Sequence, residues 1–153
     1  MINIDVVSEE KNWSKKIKKK ELFFKSICKS FPKKYRFINK KIFLTLLLTN
    51  NRHIKKLNKK FRNKNKPTDI LSFPYQEKIK FKKKLYIGDI AISYDFINKP
   101  KNQKFIFFKD KLIKIFIHGF LHLMGFDHVS YNDYKKMLKE ENKIYQSVIK
   151  KLN

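Results

Sequence analysis

The sequence has very little cysteine, glycine and proline. Its 153 residues include one cysteine, three glycines and four prolines. A single cysteine, Cys28, excludes an intramolecular disulfide and a cysteine-based zinc knuckle, and it is typical of a reducing compartment. The longest charge-free apolar stretch near the histidines, over 115–126, is too short to span a bilayer. Because the amino terminus "MINIDVVSEE" does not resemble a signal peptide, we expect a cytoplasmic protein with no membrane partner.

Acidic residues and arginine are also scarce, whereas lysine is abundant. The chain has 38 basic and 13 acidic residues, which gives a formal net charge of +25. Domains this basic usually bind polyanions, and RNA or DNA is the default partner. Only Arg36, Arg52 and Arg62 are arginines. Because a genome biased toward A and T also enriches lysine, we attribute part of the positive charge to composition. Each of the few arginines is then a stronger candidate for a role that requires a guanidinium group.

Hydrophobic periodicity predicts the element order βαβαββαα. The predicted strands cover 2–7, 42–50, 69–75 and 86–93, and the predicted helices cover 13–31, 51–62, 105–124 and 130–153. The lysine-rich segment over 76–84 shows no pattern. The length predicts one domain over 1–153. We expect an α/β (mixed α+β) fold, in which helices pack on a mixed, mostly parallel sheet of about four strands.

Amphipathic patterns predict which sides of two helices are buried. In the second helix, Ile54, Leu57 and Phe61 share one side, because residues three and four apart are neighbours on a helix surface. In the last helix the shared side carries Tyr134, Leu138, Glu141, Tyr145 and Val148. The third helix is apolar nearly throughout, so we expect it to be deeply buried.

Histidine is rare, yet three of the four histidines fall within "HGFLHLMGFDH", residues 118–128. His118 and His122 are four residues apart, which places both rings on one face of a helix. His128 follows Gly125, where the helix is expected to end and turn back. Three convergent imidazoles favour a transition metal over calcium or magnesium, and we predict zinc with an open coordination position.

The spacing of the three histidines matches the metzincin peptidase pattern, including the glycine at 125. Metzincins place a glutamate directly after the first histidine, where it activates the zinc-bound water. This chain has Gly119 at that position, and glycine cannot accept a proton. The pattern therefore predicts a metal site without the peptidase base, and a peptidase or other hydrolase stays an alternative.

Three motifs together resemble the YbeY-type rRNA maturation factors. "HGFLHLMGFDH" resembles the family signature H-G-x-L-H-L-x-G-x-D-H, and "LNKKFRNKNKPTDILSFPY" over 57–75 is similar to a second family segment. "GDIAIS" over 88–93 is similar to a third. Two departures are minor, since Phe61 stands where tyrosine is commoner and Ile70 where valine is commoner.

The resemblance implies a zinc-dependent endoribonuclease that is specific for single-stranded RNA. It implies a role in late maturation of ribosomal RNA, at the 3′ end of the small-subunit rRNA, and in ribosome quality control. The implied partners are ribosomal RNA and the small ribosomal subunit, together with ribosomal proteins or a ribosome-associated GTPase. His118, His122 and His128 match the family's metal ligands, and Arg62 matches an arginine important for its activity.

Physical chemistry suggests roles for two further groups. Arg62 with zinc can clamp a phosphodiester, because a guanidinium binds two phosphate oxygens at once. Asp127 either orients a ligand imidazole from behind or caps the turn after Gly125. A non-enzymatic RNA-binding assembly factor with structural zinc is a further alternative, although structural zinc usually has four protein ligands.

Overall fold

A computed structural model of the chain describes residues 1–75 and 84–152. The predicted lysine-rich segment over 76–84 thus lies outside the described residues, except for the first residue of a strand. The elements are, in order, β1 (Ile2–Ser8), α1 (Asn12–Lys16), α2 (Lys20–Lys29), α3 (Lys33–Arg36), β2 (Lys41–Thr49), α4 (Asn51–Arg62), β3 (Ile70–Pro74), β4 (Lys84–Ser93), α5 (Tyr94–Ile97), α6 (Phe105–Leu123) and α7 (Tyr131–Leu152).

The four strands form one mixed sheet in the order β1-β2-β4-β3. β1 and β4 both run parallel to β2, and β3 pairs with β4 in antiparallel orientation at one edge. β2 is central and apolar along most of its length, which is typical of a strand covered on both faces. The predicted mostly parallel sheet of about four strands, with helices packed on it, is confirmed.

Helices cover the two faces of this sheet unequally. Alternate residues of β2, such as Leu44 and Leu46, join the large core beneath α1, α2, α6 and α7. Leu47 points to the other face, where a small cluster formed by Ile54, Leu71 and Ala91 lies beneath α4. This alternation follows from the two-residue period of strand side chains.

α6 is the central helix of the large core. From Phe108 to Leu123 it buries nine residues. Its rings contact Phe24 of α2 and Phe31 just after α2, in the pairs Phe24–Phe116 and Phe31–Phe120 with centroids 5.0 Å apart. Its first turn is exposed, so the predicted burial holds only beyond that turn. Within 1–75 and 84–152, no helix is long and apolar enough to cross a membrane.

The single helix predicted over 13–31 is wrong, because the chain forms α1 and α2 there with a break at 17–19. Trp13 donates its indole N–H to the Thr49 carbonyl at 3.0 Å, which fixes α1 at the end of β2. Ile17 leaves the helix with extended φ and ψ and remains buried. Tertiary packing thus keeps the apolar positions inside while breaking their helical period. The short helices α3 and α5 were not predicted either.

The predicted apolar sides of two helices are only partly buried, with Ile54 and Leu57 of α4 and Val148 of α7 in or against the hydrophobic clusters. In α4, Phe61 is 58% exposed, and it contacts Phe73 at the surface. In α7 the core side is formed by Met137, Ile144 and Val148. Tyr134 and Leu138 are 49% and 38% exposed. The buried core, which includes residues of α6 and α2, thus shares only Val148 with the side of α7 that was predicted from the sequence.

A polar contact joins α7 to α3. Tyr35 donates its hydroxyl to Glu140 at 2.5 Å, and Lys143 adds a second bond to the same carboxylate at 2.9 Å. These donors, Tyr35 foremost, lower the pKa of Glu140 from 4.5 to about 2. Since the Glu140 side chain is only 13% exposed, the contact stabilises the fold through a charged, largely buried acceptor.

We expect Glu140→Gln and Tyr35→Phe each to lower the free energy of unfolding at pH 7 by about 2 kcal/mol, as for other hydrogen bonds to charged groups. Because the pKa is depressed in the folded protein, the stabilisation is present above pH 4.5 and is lost as the pH falls toward 2. Urea denaturation across this range measures it. Glu21→Gln, in an exposed pair with Lys25, is the control and should change little. Wild-type stability of Glu140→Gln at pH 7 would contradict the assignment.

Candidate metal centre

α6 carries two of the three clustered histidines on one side. His118 and His122 lie one turn apart on a helix whose other sides are buried in the core. Lys114 precedes them by one more turn and pairs with Asp110 at 2.7 Å. These residues form a polar stripe on an apolar helix, and both rings are only partly buried.

The turn after α6 brings the third histidine back toward the first two. Phe126 N–H donates to the Leu121 carbonyl and Gly125 N–H to the His122 carbonyl, both at 3.0 Å, which is the Schellman arrangement. Gly125 has a φ of +89°, a conformation that favours glycine. The chain then reverses, and the exposed His128 faces the other two rings.

The three rings form a compact group. One ring nitrogen from each of His118, His122 and His128 lies within 4.8 Å of the other two. Among the described residues, no cysteine or carboxylate side chain belongs to this group. The Nε2 atoms of His118 and His122 are 3.0 Å apart. Two nitrogens bound to one tetrahedral zinc are separated by about 3.3 Å, given Zn–N bonds of about 2.0–2.1 Å.

Hydrogen bonds behind the rings fix which nitrogens face one another. His118 Nδ1 donates to Glu141 Oε1 at 2.6 Å, and His122 Nδ1 donates to the Phe126 carbonyl at 2.9 Å. In the neutral rings both Nε2 atoms are therefore unprotonated. Lone pairs that face each other across 3.0 Å repel unless a cation lies between them, so this donor set fits a metal ion.

The surroundings keep His122 neutral. Burial lowers the pKa of His122 below its ordinary value of 6.5, and the neighbouring His118 ring acts in the same direction. Metal ions bind the neutral imidazole, so a depressed pKa favours binding at neutral pH.

Glu141 is the site residue that sequence reasoning missed. It comes from α7, 23 residues beyond His118, and in the sequence it is one of several acids on an amphipathic helix. A carboxylate behind a metal-binding imidazole holds the ring orientation and raises its basicity. No local spacing signals this contact, because it depends on how α7 packs against α6.

Asp127 contacts the backbone and makes no hydrogen bond to an imidazole within 1–75 and 84–152. Its carboxylate accepts from the His128 N–H at 2.7 Å. Ser130 and Asp133 bond to each other at the start of α7, so both ends of the short loop that carries His128 are anchored. The geometry favours the turn-capping role for Asp127.

Arg62 is not among the residues that line the cleft beside His118. It is the last residue of α4 and is exposed, and it makes no hydrogen bond or ion pair with the described residues. Asn63 follows it with a left-handed φ of 56° and ends the helix. The chain then continues to Asp69 and Ile70, which line the cleft beside His118.

Gly119 has a packing role that its sequence position did not reveal. A Cβ there would lie 2.5 Å from Ile70 Cδ1 and 3.1 Å from Ser72 Oγ, because α6 crosses β3 closely at this point. The residue after the first histidine thus faces the sheet. A glutamate at this position would be forced into the helix–sheet contact.

Comparisons with known proteins identify relatives over nearly the whole chain. A family model described as "Endoribonuclease YbeY" matches residues 5–149. The chain is 64% identical over 148 residues to a Pelagibacter ubique protein named endoribonuclease YbeY, covering 97% of each chain. It is 35% identical over 137 residues to a protein of the same name from a Sulfurihydrogenibium species, covering 89% of this chain and 87% of that one.

A solved structure also matches the fold. The solution structure of a Thermotoga maritima protein covers 97% of this chain and 89% of its own, with a TM-score of 0.56 and 27% sequence identity. Since the family model spans almost the whole sequence and the histidine signature lies within the match, the chain belongs to the YbeY family.

Proposed function

We propose that this protein is a metal-dependent endoribonuclease that cuts single-stranded RNA during maturation of the small-subunit ribosomal RNA. The main support is the convergence of three imidazoles in a chain of the YbeY family. The relatives' shared name supplies the reaction class. The net charge of +25 suits a polyanionic substrate.

Zinc is the proposed metal, with His118, His122 and His128 as its ligands. Three neutral imidazoles match zinc's preference for nitrogen donors, and three protein ligands leave a position for substrate or water. A bound zinc ion would supply Lewis-acid chemistry at the phosphodiester. Glu141 and the Phe126 carbonyl hold the two α6 rings with Nε2 facing inward, and Asp127 steadies the loop that carries His128.

Arg62 is proposed to bind the phosphate that is cleaved. Its guanidinium is exposed and is not held by another described residue, so it is available to a ligand. A guanidinium can donate two parallel hydrogen bonds to phosphate oxygens, and this stabilises the negative charge that builds up in the transition state. The RNA strand would bridge the end of α4 and the histidines.

The partners follow from the same role. Ribosomal RNA in the small ribosomal subunit is the proposed substrate, and ribosomal proteins or a ribosome-associated GTPase are the proposed proteins that bring the enzyme to it. We propose that residues 1–153 act as one domain in the cytoplasm.

The two alternatives are less favoured. A peptidase needs a base beside the metal, but this chain has a glycine after the first histidine, and Gly119 faces β3, with Ile70 Cδ1 2.5 Å from where a Cβ would lie. A structural zinc usually has four protein ligands, whereas the group found among the described residues has three.

We expect purified protein to bind one transition-metal ion per chain and to lose it on His118→Ala, His122→Ala or His128→Ala. Glu141→Gln should weaken metal affinity by about 10- to 100-fold, because the ring it orients loses its charged partner. Glu21→Gln, on the exposed side of α2, is the matched control. Competition with a chromophoric chelator measures each affinity.

The same titration has a defined pH dependence. The pKa of His122 lies below 6.5, so protons compete weakly at pH 7 and metal affinity should fall as the pH drops below about 6.5. Without metal, the depressed pKa also makes the free energy of unfolding depend on pH. The contribution of His122 is fully present above pH 6.5 and is lost in more acidic solution, because the unfolded chain takes up the proton more readily. Unchanged metal affinity of Glu141→Gln would contradict the proposal that Glu141 orients the His118 ring. Wild-type protein that never binds metal would contradict the three-histidine metal site.

Arg62→Ala should lower single-turnover RNA cleavage by about 100- to 1000-fold, as for the loss of one preorganised donor, while metal content and most RNA affinity remain. Arg62→Lys should not restore the rate, because an ammonium cannot reproduce the two-pronged geometry. The control is Arg52→Ala, an exposed arginine in the same helix. Cleavage by Arg62→Ala at the wild-type rate with saturating RNA would show that Arg62 is one basic residue among many.

A further inference from the structure

One side of α7 carries aromatic and apolar residues that the core covers only in part. Tyr131, Tyr134 and Leu138 are 69%, 49% and 38% exposed, and Glu141 and Tyr145 are partly buried. Their spacing of three and four residues places all five on one face. We call these five residues the α7 stripe.

The stripe is separate from the side of α7 that packs into the core. Met137, Ile144 and Val148 form that buried side, and they are neighbours of the stripe around the helix. Tyr145 packs partly against the core, whereas core packing does not explain the exposed Tyr131, Tyr134 and Leu138. Exposed aromatic residues in a row usually mark a binding surface.

The stripe runs directly past the histidines. Leu138, Glu141 and Tyr145 line a cleft of about 750 Å³ whose other walls include His118 and Lys114. Glu141 bonds to His118 from the middle of the stripe. At about 1.5 Å per residue, the stripe extends about 20 Å along α7, enough for several nucleotides of a single strand.

Ammonium groups accompany the tyrosines at both ends of the stripe. Lys135 Nζ lies 4.5 Å from the centre of the Tyr131 ring, and Lys114 Nζ lies 4.9 Å from that of Tyr145. Asp110 holds Lys114 in place at 2.7 Å, and the lysine remains 56% exposed. Aromatic faces next to cations are the arrangement by which proteins hold single-stranded nucleic acid, with bases stacked on rings and phosphates beside the charges.

We propose that the α7 stripe is the surface along which single-stranded RNA lies as it passes the metal centre, with bases stacked on Tyr131, Tyr134 and Tyr145 and phosphates beside Lys135 and Lys114. This inference rests on the proposed endoribonuclease function and names the part of the chain that holds the flanking nucleotides. Charge favours RNA over a protein partner, because the nearby cations are lysines on a strongly basic chain.

The test measures binding of an unstructured RNA of about twelve nucleotides, within the usual range of such sites, to the full-length, metal-loaded protein. Fluorescence anisotropy in a stopped-flow instrument records binding before cleavage. Tyr131→Ala and Tyr134→Ala should each weaken affinity about tenfold, the effect of one lost base–aromatic stack. Tyr134→Phe should bind like wild type, because the ring is kept.

Two controls separate stacking from charge and from general surface effects. Phe107→Ala removes an exposed aromatic residue, 58% exposed, from the start of α6 and should leave affinity unchanged. Lys135→Ala should weaken binding more than Lys136→Ala, which removes the same charge from a different face of α7. A series of RNAs, each lacking a different single base, tests the stacking position. One of these RNAs should bind equally to wild type and Tyr134→Ala, because it lacks the base that stacks on Tyr134.

The outcomes distinguish this inference from the function on which it rests. Equal RNA affinity of wild type, Tyr131→Ala and Tyr134→Ala would overturn the stripe, while cleavage by the same proteins would leave the endoribonuclease intact. A wild-type protein that neither binds nor cuts single-stranded RNA would overturn both. Loss of affinity in Tyr134→Phe as well would also overturn stacking as the cause.

Discussion

The hydrogen bond between His118 Nδ1 and Glu141 is the contact on which the site depends. It joins α6, the apolar helix at the centre of the large core, to α7, the last helix of the chain, at a distance of 2.6 Å. Because Glu141 accepts the Nδ1 proton, the opposite nitrogen of the ring is free to face His122. One contact thus fixes a tautomer and a ring orientation and adds a polar link between two helices.

The rest of the fold supports that contact from two directions. The sheet supports α6 through Gly119, whose missing side chain lets the helix lie close to β3. The bond from Tyr35 to Glu140, adjacent to Glu141, anchors α7 to α3. The loop with His128 is short and held at both ends, so the exposed third histidine is kept near the two that the core positions.

Local features of the site could be predicted from the sequence, whereas contacts between distant elements could not. The four-residue spacing of His118 and His122 fixes their common face, and Gly125 marks the turn that returns His128. Glu141 carries no such mark, since only the packing of α7 on α6 brings it to His118. The same packing decides which side of α7 is buried, so the predicted apolar side is divided: Val148 lies in the core, whereas Leu138, Glu141 and Tyr145 line the cleft.

X-ray absorption spectroscopy of the zinc-loaded protein would identify the atoms that surround the metal. We expect one zinc ion per chain with three imidazole nitrogens at about 2.0–2.1 Å and a remaining light-atom ligand from solvent. The imidazole signal should fall by one ring in His128→Ala if that variant retains any metal. Zinc surrounded only by oxygen, or with fewer than three imidazoles in the wild-type protein, would show that the three histidines do not together hold the ion.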